Sequence, residues 1–198
     1  MIAIIDYGMG NLSSVKNAFD FLGYPSKITQ DKDEILRADK VILPGVGAFE
    51  DAIGTIKKDG YDEIIYKTID NQKPLLGICL GFQLMFDKSY EFGEFEGLKI
   101  LKGEIKKLEV PLKVPHVGWN SINKTFDSKL FKNIENGQFV YFVHSYYLES
   151  KENFVSAYTE YGTNMAIGIE KNNIFGVQFH PEKSGKVGLQ LLKNFGDI

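Results

Sequence analysis

Cysteine, histidine and tryptophan are scarce in this sequence, and their scarcity limits the chemistry available to the protein. The 198 residues include one cysteine, three histidines and one tryptophan. A single cysteine cannot form an internal disulfide or build a cysteine-rich zinc or iron–sulfur site. Cys79 is therefore either a buried apolar residue or a reactive thiol, and the function depends on which of the two it is.

The sequence also lacks an excess of positive charge and a long apolar run. Lysine and arginine number 23 against 26 acidic residues, for a net charge of −3, so a nucleic-acid partner is not expected. The apolar residues 1–5 end at Asp6, too soon for a signal sequence, and no run approaches the roughly 18–20 residues of a membrane span. We therefore expect a cytoplasmic protein with no membrane or nucleic-acid partner.

The composition is that of a globular protein. Apolar residues make up 43% and charged residues 25% of the chain, which excludes disordered, collagen-like and coiled-coil classes. The length is near the upper end of the single-domain range, and no linker or repeat interrupts it. We expect residues 1–198 to form one domain.

The two halves of the chain predict different parts of an α/β fold. The first half alternates strands with helical patterns, which favours a parallel sheet covered by helices. The second half is a series of strand-like segments separated by Asn, Gly and Lys turns, which favours an antiparallel extension. The predicted strands are 2–6, 27–29, 41–43, 75–79, 100–109, 114–123, 139–148, 154–161, 165–170 and 174–179, and the predicted helices are 11–22, 61–71, 80–89 and 186–195.

Cys79 lies in a Gly-x-Cys-x-Gly pattern at the junction of a predicted strand and a predicted helix. Gly77 and Gly81 allow the two backbones to approach closely, so that the side chain between them projects above the sheet. The start of the following helix stabilises a thiolate, and the N–H of Leu80 is placed to face an oxyanion. The pattern favours a nucleophilic cysteine over a buried one.

A cysteine nucleophile needs a base, and His180 is the histidine with an acid closest by. His180 and Glu182 share a face if the segment is extended, so the carboxylate can orient the imidazole. The alternatives are a solvated surface turn and, for His144 among aromatic residues, a core histidine. Zinc is not expected, because none of the usual histidine or cysteine spacings occurs.

Two glycine-containing turns are also candidates for ligand-binding loops. Gly8 and Gly10 begin a dinucleotide fingerprint, but Ser13 occupies the third glycine position, so this half-motif is weak. Residues 44–47 follow the third strand, where main-chain amides could approach a ligand, although an ordinary turn explains them equally well. We expect no cofactor.

The motifs LGICLGFQLMF and GVQFHPEKS resemble those of the class I glutamine amidotransferases, which use a Cys–His–Glu triad. The blocks DYGMGNLSSV, LPGVGAF, VPHVGWN and YFVHSYY are similar, in order and spacing, to the glutaminase subunits of imidazole glycerol phosphate synthases. The resemblance spans the whole chain, and one departure from the family pattern is Val117, where a methionine is usual. It implies a flavodoxin-like central sheet with flanking helices.

The resemblance also implies a role for individual residues. The nucleophile would be Cys79, the base and acid His180, and the orienting carboxylate Glu182. The other implied residues are Val46, Gly47 and Leu80 for the oxyanion, Gln83, His144, Ser145 and Tyr146 for glutamine, and Asn11, Pro115, Trp119, Tyr141 and Lys183 for a partner surface.

The implied partner is a separate cyclase subunit, a (β/α)₈ barrel that receives ammonia from L-glutamine within a heterodimer. One alternative is a related subunit that supplies ammonia for amidination of a surface-polysaccharide sugar. A second is a non-catalytic flavodoxin-like module in which Cys79 senses oxidants, against which the His180–Glu182 pair counts.

Overall fold

The structure is a computed structural model that describes residues 1–150 and 152–198, and its first half follows the predicted alternation of strands and helices. Apolar residues at both faces of three of its short strands, Ile2–Ile5, Lys40–Leu43 and Leu75–Ile78, bury these strands between helices. The elements are β1 (Ile2–Ile5), α1 (Leu12–Phe21), β2 (Ser26–Thr29), α2 (Lys32–Arg37), β3 (Lys40–Leu43), α3 (Phe49–Lys58), α4 (Tyr61–Asp70), β4 (Leu75–Ile78) and α5 (Leu80–Gln83).

The helix predicted over residues 80–89 ends after Gln83, so that prediction was wrong in its length. Leu84, Met85 and Phe86 are fully buried. Their carbonyls accept hydrogen bonds from a later loop, including the Leu98 amide on Leu84 at 2.8 Å and the Ile100 amide on Met85 at 2.9 Å. The amides of this segment still bond back to carbonyls of α5, but its own carbonyls are taken by tertiary bonds, so the helical ladder does not continue.

The second half contributes short strands, one 3₁₀ turn and the last helix. The segment 139–148, predicted as one strand, is divided at Ser145 into two. The elements are β5 (Lys88–Ser89), β6 (Phe95–Glu96), β7 (Glu104–Lys107), β8 (His116–Ser121), β9 (Asn123–Lys124), β10 (Phe139–His144), β11 (Tyr146–Glu149), β12 (Val155–Glu160), β13 (Asn164–Lys171), β14 (Ile174–Val177), the 3₁₀ turn Pro181–Lys183 and α6 (Gly185–Asp197).

Ten of the strands follow the order β2-β1-β3-β4-β14-β13-β11-β7-β5-β6 across the central sheet. The first five are parallel to one another, and β13, β11 and β7 continue the sheet with antiparallel pairing. Two strands depart from the antiparallel second half, because β14 pairs in parallel with β4 and β5 pairs in parallel with β7. A separate antiparallel sheet is formed by β8 and β10.

The core lies on both faces of the central sheet. Alternate residues of β1 point to opposite faces, with Ala3 and Ile5 on one side and Ile2 and Ile4 on the other. Helices α3 and α4 cover the first face, and α1 and α6 cover the second. In the part of the chain that the structure describes, no helix is long and apolar enough to cross a membrane.

Candidate active site

Cys79 occupies a strained turn between β4 and α5. Its φ of 53° and ψ of −109° are rarely adopted by a residue with a side chain. The glycines two residues before and after Cys79 have no room for a side chain, so the turn is tightly packed on both sides. A Cβ on Gly81 would lie 1.9 Å from the carbonyl oxygen of Leu43, and one on Gly77 would lie 2.5 Å from Sδ of Met85. The backbone therefore fixes the position of the thiol.

The parallel pairing of β4 with β14 brings the cysteine and the histidine together. Ile78 is in register with Val177, and the Cys79 amide donates to the Val177 carbonyl at 2.9 Å. His180 follows three residues after β14, so both side chains lie at the carboxyl edge of the sheet. Ligands of open α/β sheets bind at this edge.

His180 and Glu182 form a buried ion pair within a turn. Nδ1 of His180 lies 2.9 Å from Oε1 of Glu182, and the two side chains are 3% and 1% exposed. The segment is a 3₁₀ turn rather than the extended chain that the i, i+2 argument assumed, so the expected contact forms through a different backbone path. Burial lowers the pKa of His180, but hydrogen bonds to Cys79 and Glu182 outweigh it and raise that pKa to about 10.

A cavity of about 300 Å³ opens in front of Cys79. Every residue that the sequence analysis assigned to the oxyanion or to glutamine lines it, together with the thiol and the imidazole. The lining residues are Val46, Gly47, Cys79, Leu80, Gln83, Glu91, Pro115, Val143, His144, Ser145, Tyr146 and His180.

The loop after β3 crosses the cavity close to Leu80. The Leu80 amide, expected to face an oxyanion, donates to the Gly45 carbonyl at 3.4 Å. The preceding carbonyl, that of Pro44, accepts from the Tyr7 hydroxyl at 2.8 Å. Burial raises the pKa of Tyr7, which keeps the hydroxyl protonated as a donor. Sequence analysis missed Tyr7, although its place two residues after β1, at the same sheet edge, is a signal that could have indicated it.

Glu91 also lines the cavity and was not predicted. Its Oε2 accepts from the Phe49 amide at 2.7 Å, so it lies at the start of α3. Burial raises the pKa of this carboxyl, and the bond from Phe49 partly offsets the effect. Glu91 lies in a loop whose path the sequence pattern did not indicate.

Gln83 belongs to a buried group of polar side chains behind the cysteine. Its Nε2 donates to the Tyr146 carbonyl at 3.1 Å and to Oε1 of Gln178 at 2.8 Å. Nε2 of Gln178 is in turn 3.9 Å from Sγ of Cys79. Gln178 was not predicted, because a position two residues before His180 in a buried strand is expected to be a core position.

His144 and His116 are paired on the far side of the cavity. Nδ1 of His144 donates to the Tyr146 carbonyl at 2.8 Å, which leaves its Nε2 to accept from Nδ1 of His116 at 3.1 Å. Burial lowers the pKa of His144 to about 4 and also lowers the pKa of His116. Both rings are therefore neutral near pH 7, as the core interpretation of His144 expects.

The residues assigned to a partner surface lie on the β8–β10 sheet, at the cavity or next to the turn that holds His180. Trp119 and Tyr141 are cross-strand neighbours on β8 and β10, with ring centroids 6.0 Å apart. Trp119 is 55% exposed, and so is Val117 beside it. Asn11 lies 3.4 Å from Glu182, Pro115 lines the cavity, and Lys183 is exposed.

No metal-binding cluster accompanies these residues. Among residues 1–150 and 152–198, no group of three or more His, Cys, Asp or Glu side chains could hold a metal ion.

Comparison with known proteins identifies the family of this chain and solved structures with the same fold. The family model of "Glutamine amidotransferase class-I" matches residues 3–197, and the chain belongs to this family. Solved structures share the fold: a glutamine amidotransferase superposes with a TM-score of 0.77 at 15% identity, covering 100% of this chain and 99% of that one. The PurLQS structure from Thermotoga maritima has a TM-score of 0.75 at 18% identity, covering 98% of this chain and 96% of that one.

Curated relatives are far more similar in sequence, and they share one name, imidazole glycerol phosphate synthase subunit HisH. The protein from Caldanaerobacter subterraneus subsp. tengcongensis is 54% identical, over 100% of this chain and 98% of its own length. The proteins from Moorella thermoacetica and Bacillus thuringiensis are 52% and 49% identical, over 100% of this chain and 94% and 95% of their own lengths.

Proposed function

We propose that this chain is the glutaminase subunit of an imidazole glycerol phosphate synthase, which hydrolyses L-glutamine and delivers the ammonia to a cyclase subunit for histidine biosynthesis. Full-length identity of about half to the HisH subunits supports the pathway. The observation that carries the chemistry is the meeting of Cys79 and the His180–Glu182 pair in front of one cavity. The proposed domain is the whole chain, residues 1–198.

In the proposed reaction, the Cys79 thiolate attacks the carboxamide carbon of glutamine. His180 then donates its proton to the departing nitrogen, and the C–N bond breaks to give ammonia and a γ-glutamyl thioester. His180 next removes a proton from water, which attacks the thioester and releases glutamate with return of the proton to the sulfur. Glu182 stabilises the imidazolium and fixes its ring through Nδ1.

Two further groups fit the substrate. Glutamine carries a positive α-amino group, and Glu91 offers a half-buried carboxylate to the cavity. The tetrahedral intermediate carries an oxyanion, for which we assign Val46, Gly47 and the Leu80 amide. That amide is bonded to the Gly45 carbonyl in this structure, so the loop has to shift before Leu80 can serve.

The proposed docking surface adjoins the catalytic turn. The His180 amide donates to the Tyr141 carbonyl at 3.1 Å, and the Tyr141 amide donates to Oγ of Ser184 at 2.9 Å. Exposed aromatic and apolar residues, Trp119 and Val117 among them, are typical of protein interfaces. A cyclase barrel bound here would cover the cavity and receive ammonia before it is protonated in bulk water.

A nucleophilic thiol has to remain reduced, which fits the cytoplasmic location that we propose. The test of the function is release of glutamate and ammonia from glutamine by the purified chain, with and without the histidine-pathway cyclase subunit of the same source and its ligand. We expect release to rise sharply with the cyclase and to be absent in the Cys79→Ala variant under both conditions. Release that the cyclase does not change would contradict the pathway and leave the related ammonia-donating role to be tested with its own partner.

A further inference from the structure

A fully buried glutamine lies beside the proposed nucleophile, where an apolar side chain would be the simpler choice. Gln178 is 0% exposed, and its backbone amide is bonded to the Ile167 carbonyl of β13 at 3.0 Å. Burying an amide is favourable only when its polar atoms find partners. Both ends of this side chain have partners, and one of them is the reacting sulfur.

The orientation of the Gln178 amide is determined by its neighbours. A main-chain carbonyl can only accept, so the Tyr146 carbonyl requires Gln83 to present its NH₂ group. The same Nε2 reaches Gln178 at 2.8 Å and requires an acceptor there, which is Oε1. Nε2 of Gln178 is consequently the atom that faces Cys79. The Tyr146 carbonyl, the Gln83 amide and the Gln178 amide thus form a series that directs an N–H group toward the sulfur.

We propose that Gln178 is a positioning residue for the reacting sulfur, whose N–H is held toward Cys79 Sγ by Gln83 and the Tyr146 carbonyl. This inference rests on the proposed role of Cys79 as the nucleophile. The distance of 3.9 Å is long for a neutral thiol, and the bond strengthens when the sulfur becomes negative. The donor therefore favours the thiolate and holds it on the side of the cavity opposite the solvent.

The arrangement also connects the sulfur to the substrate pocket. Both N–H bonds of the Gln83 amide are used by Tyr146 and Gln178, so a ligand in the cavity can engage Gln83 only through its carbonyl oxygen. A ligand that binds this oxygen polarises the amide and strengthens its donation to Gln178. Binding of glutamine and orientation of the sulfur are then coupled through two side chains.

The test measures the sulfur directly, without glutamine. Because Cys79 is the only cysteine, the rate of alkylation by iodoacetamide, followed by intact mass, reports this thiol alone. The rate is measured from pH 5 to pH 10 in the full chain. The variants are Gln178→Met, which keeps the volume and removes the donor, and Gln178→Glu, which places a carboxylate beside the sulfur. The matched control is Gln190→Met, since Gln190 bonds only with Asn194 on α6 in the structure described.

We expect the control to have the same midpoint pH as the unmodified chain. Gln178→Met should raise the midpoint by about one pH unit, the effect of one hydrogen bond to a charged group. Gln178→Glu should raise it further, because a second negative charge opposes the thiolate. The other titratable groups near the sulfur, Tyr7, Glu91, His144, His180 and Glu182, are unchanged in every variant.

A midpoint in folded Gln178→Met that equals the control value overturns the inference, and so does a midpoint in Gln178→Glu below that of Gln178→Met. If Gln178→Met does not fold, Gln83→Met removes the donor that orients Gln178 and should also raise the midpoint. A midpoint in Gln83→Met that equals the control value also overturns the inference. The two proposals can fail separately. If the variants show the expected midpoint shifts but the unmodified chain releases no glutamate with the cyclase, the proposed function is contradicted and the inference about Gln178 is not.

Discussion

Nδ1 of His180 lies 2.9 Å from Oε1 of Glu182, although a proline separates the two residues and they belong to a turn. The contact leaves Nε2 of the ring for the sulfur, and it places a negative charge where the imidazolium forms. Oε2 of the same carboxylate is buried without a hydrogen-bond partner in the structure described. A carboxylate held in this way acts mainly through the histidine, and the stability of the protein should therefore depend on the charge of His180.

The first prediction concerns the pH dependence of stability. The pKa of His180 is raised to about 10 in the folded chain, against about 6.5 in an unfolded one. The native state thus binds the proton more tightly, so the contribution is fully present below about pH 6.5 and is lost as the pH rises toward 10. We expect Glu182→Gln to reduce this loss. The free energy of urea unfolding of both proteins, measured between pH 6 and pH 10, checks it, and a difference that does not vary with pH would contradict it.

The second prediction concerns acid sensitivity and has the opposite sign. The pKa of His144 is lowered to about 4 by burial, so the unfolded chain binds this proton first as the pH falls. Stability is lost from about pH 6.5 down to about pH 4, by up to a few kcal/mol. His144→Gln cannot titrate and should lose less stability over this interval. Unfolding at pH 5 and pH 7 measures the effect, and equal losses in the two proteins would argue against it.

The third prediction separates the strain at Cys79 from its chemistry. Glycine adopts a φ of 53° without the cost that a Cβ carries there. Cys79→Gly and Cys79→Ala should both abolish glutamate release, but the glycine variant should be more stable than the alanine variant by about 1 kcal/mol. In a chain of this length the difference amounts to about 2–4 °C in the melting temperature. An alanine variant that melts at or above the glycine variant would show that the turn is not strained.

The fourth prediction uses two glycines as a matched pair. A Cβ on Gly81 would collide with backbone atoms of Leu43, whereas a Cβ on Gly54 meets no atom within 4 Å. Gly81→Ala should destabilise the fold by about 3 kcal/mol or more and abolish activity. Gly54→Ala, inside helix α3, should stabilise it by about 0.5–1 kcal/mol. Thermal melting of both variants measures the contrast, and similar melting temperatures would contradict the packing argument.

The motifs predicted more of the site than of the local structure around it. The turn at Cys79 could be predicted from neighbouring residues alone, since two glycines at fixed spacing allow the close packing that a strand-to-helix turn requires. The pairing of β4 with β14 joins residues about one hundred positions apart, and the sequence analysis did not predict it.

Other elements left weaker signals. Helix α2 has six residues and a single buried one, Ile35, which is too little for a periodic pattern. Helix α3 has a clear apolar face, but its N-cap residue Ala48 has no side chain that could cap it, and Glu91 from a distant loop accepts from the Phe49 amide instead. Gln178 was hidden for the same reason, because its partners come from other elements. Such contacts depend on the tertiary fold and cannot be deduced from neighbouring residues.

The position of β14 between β4 and β13 also has a consequence for how the protein is made. This strand is synthesised after the other strands of the described residues, yet it belongs in the middle of the sheet. A growing chain that has emerged only as far as residue 173 holds Cys79 but lacks His180, and β4 presents an open edge. The thiol therefore acquires the His180–Glu182 pair only after β14 has been synthesised, and a nascent chain that stops short of this strand cannot release ammonia.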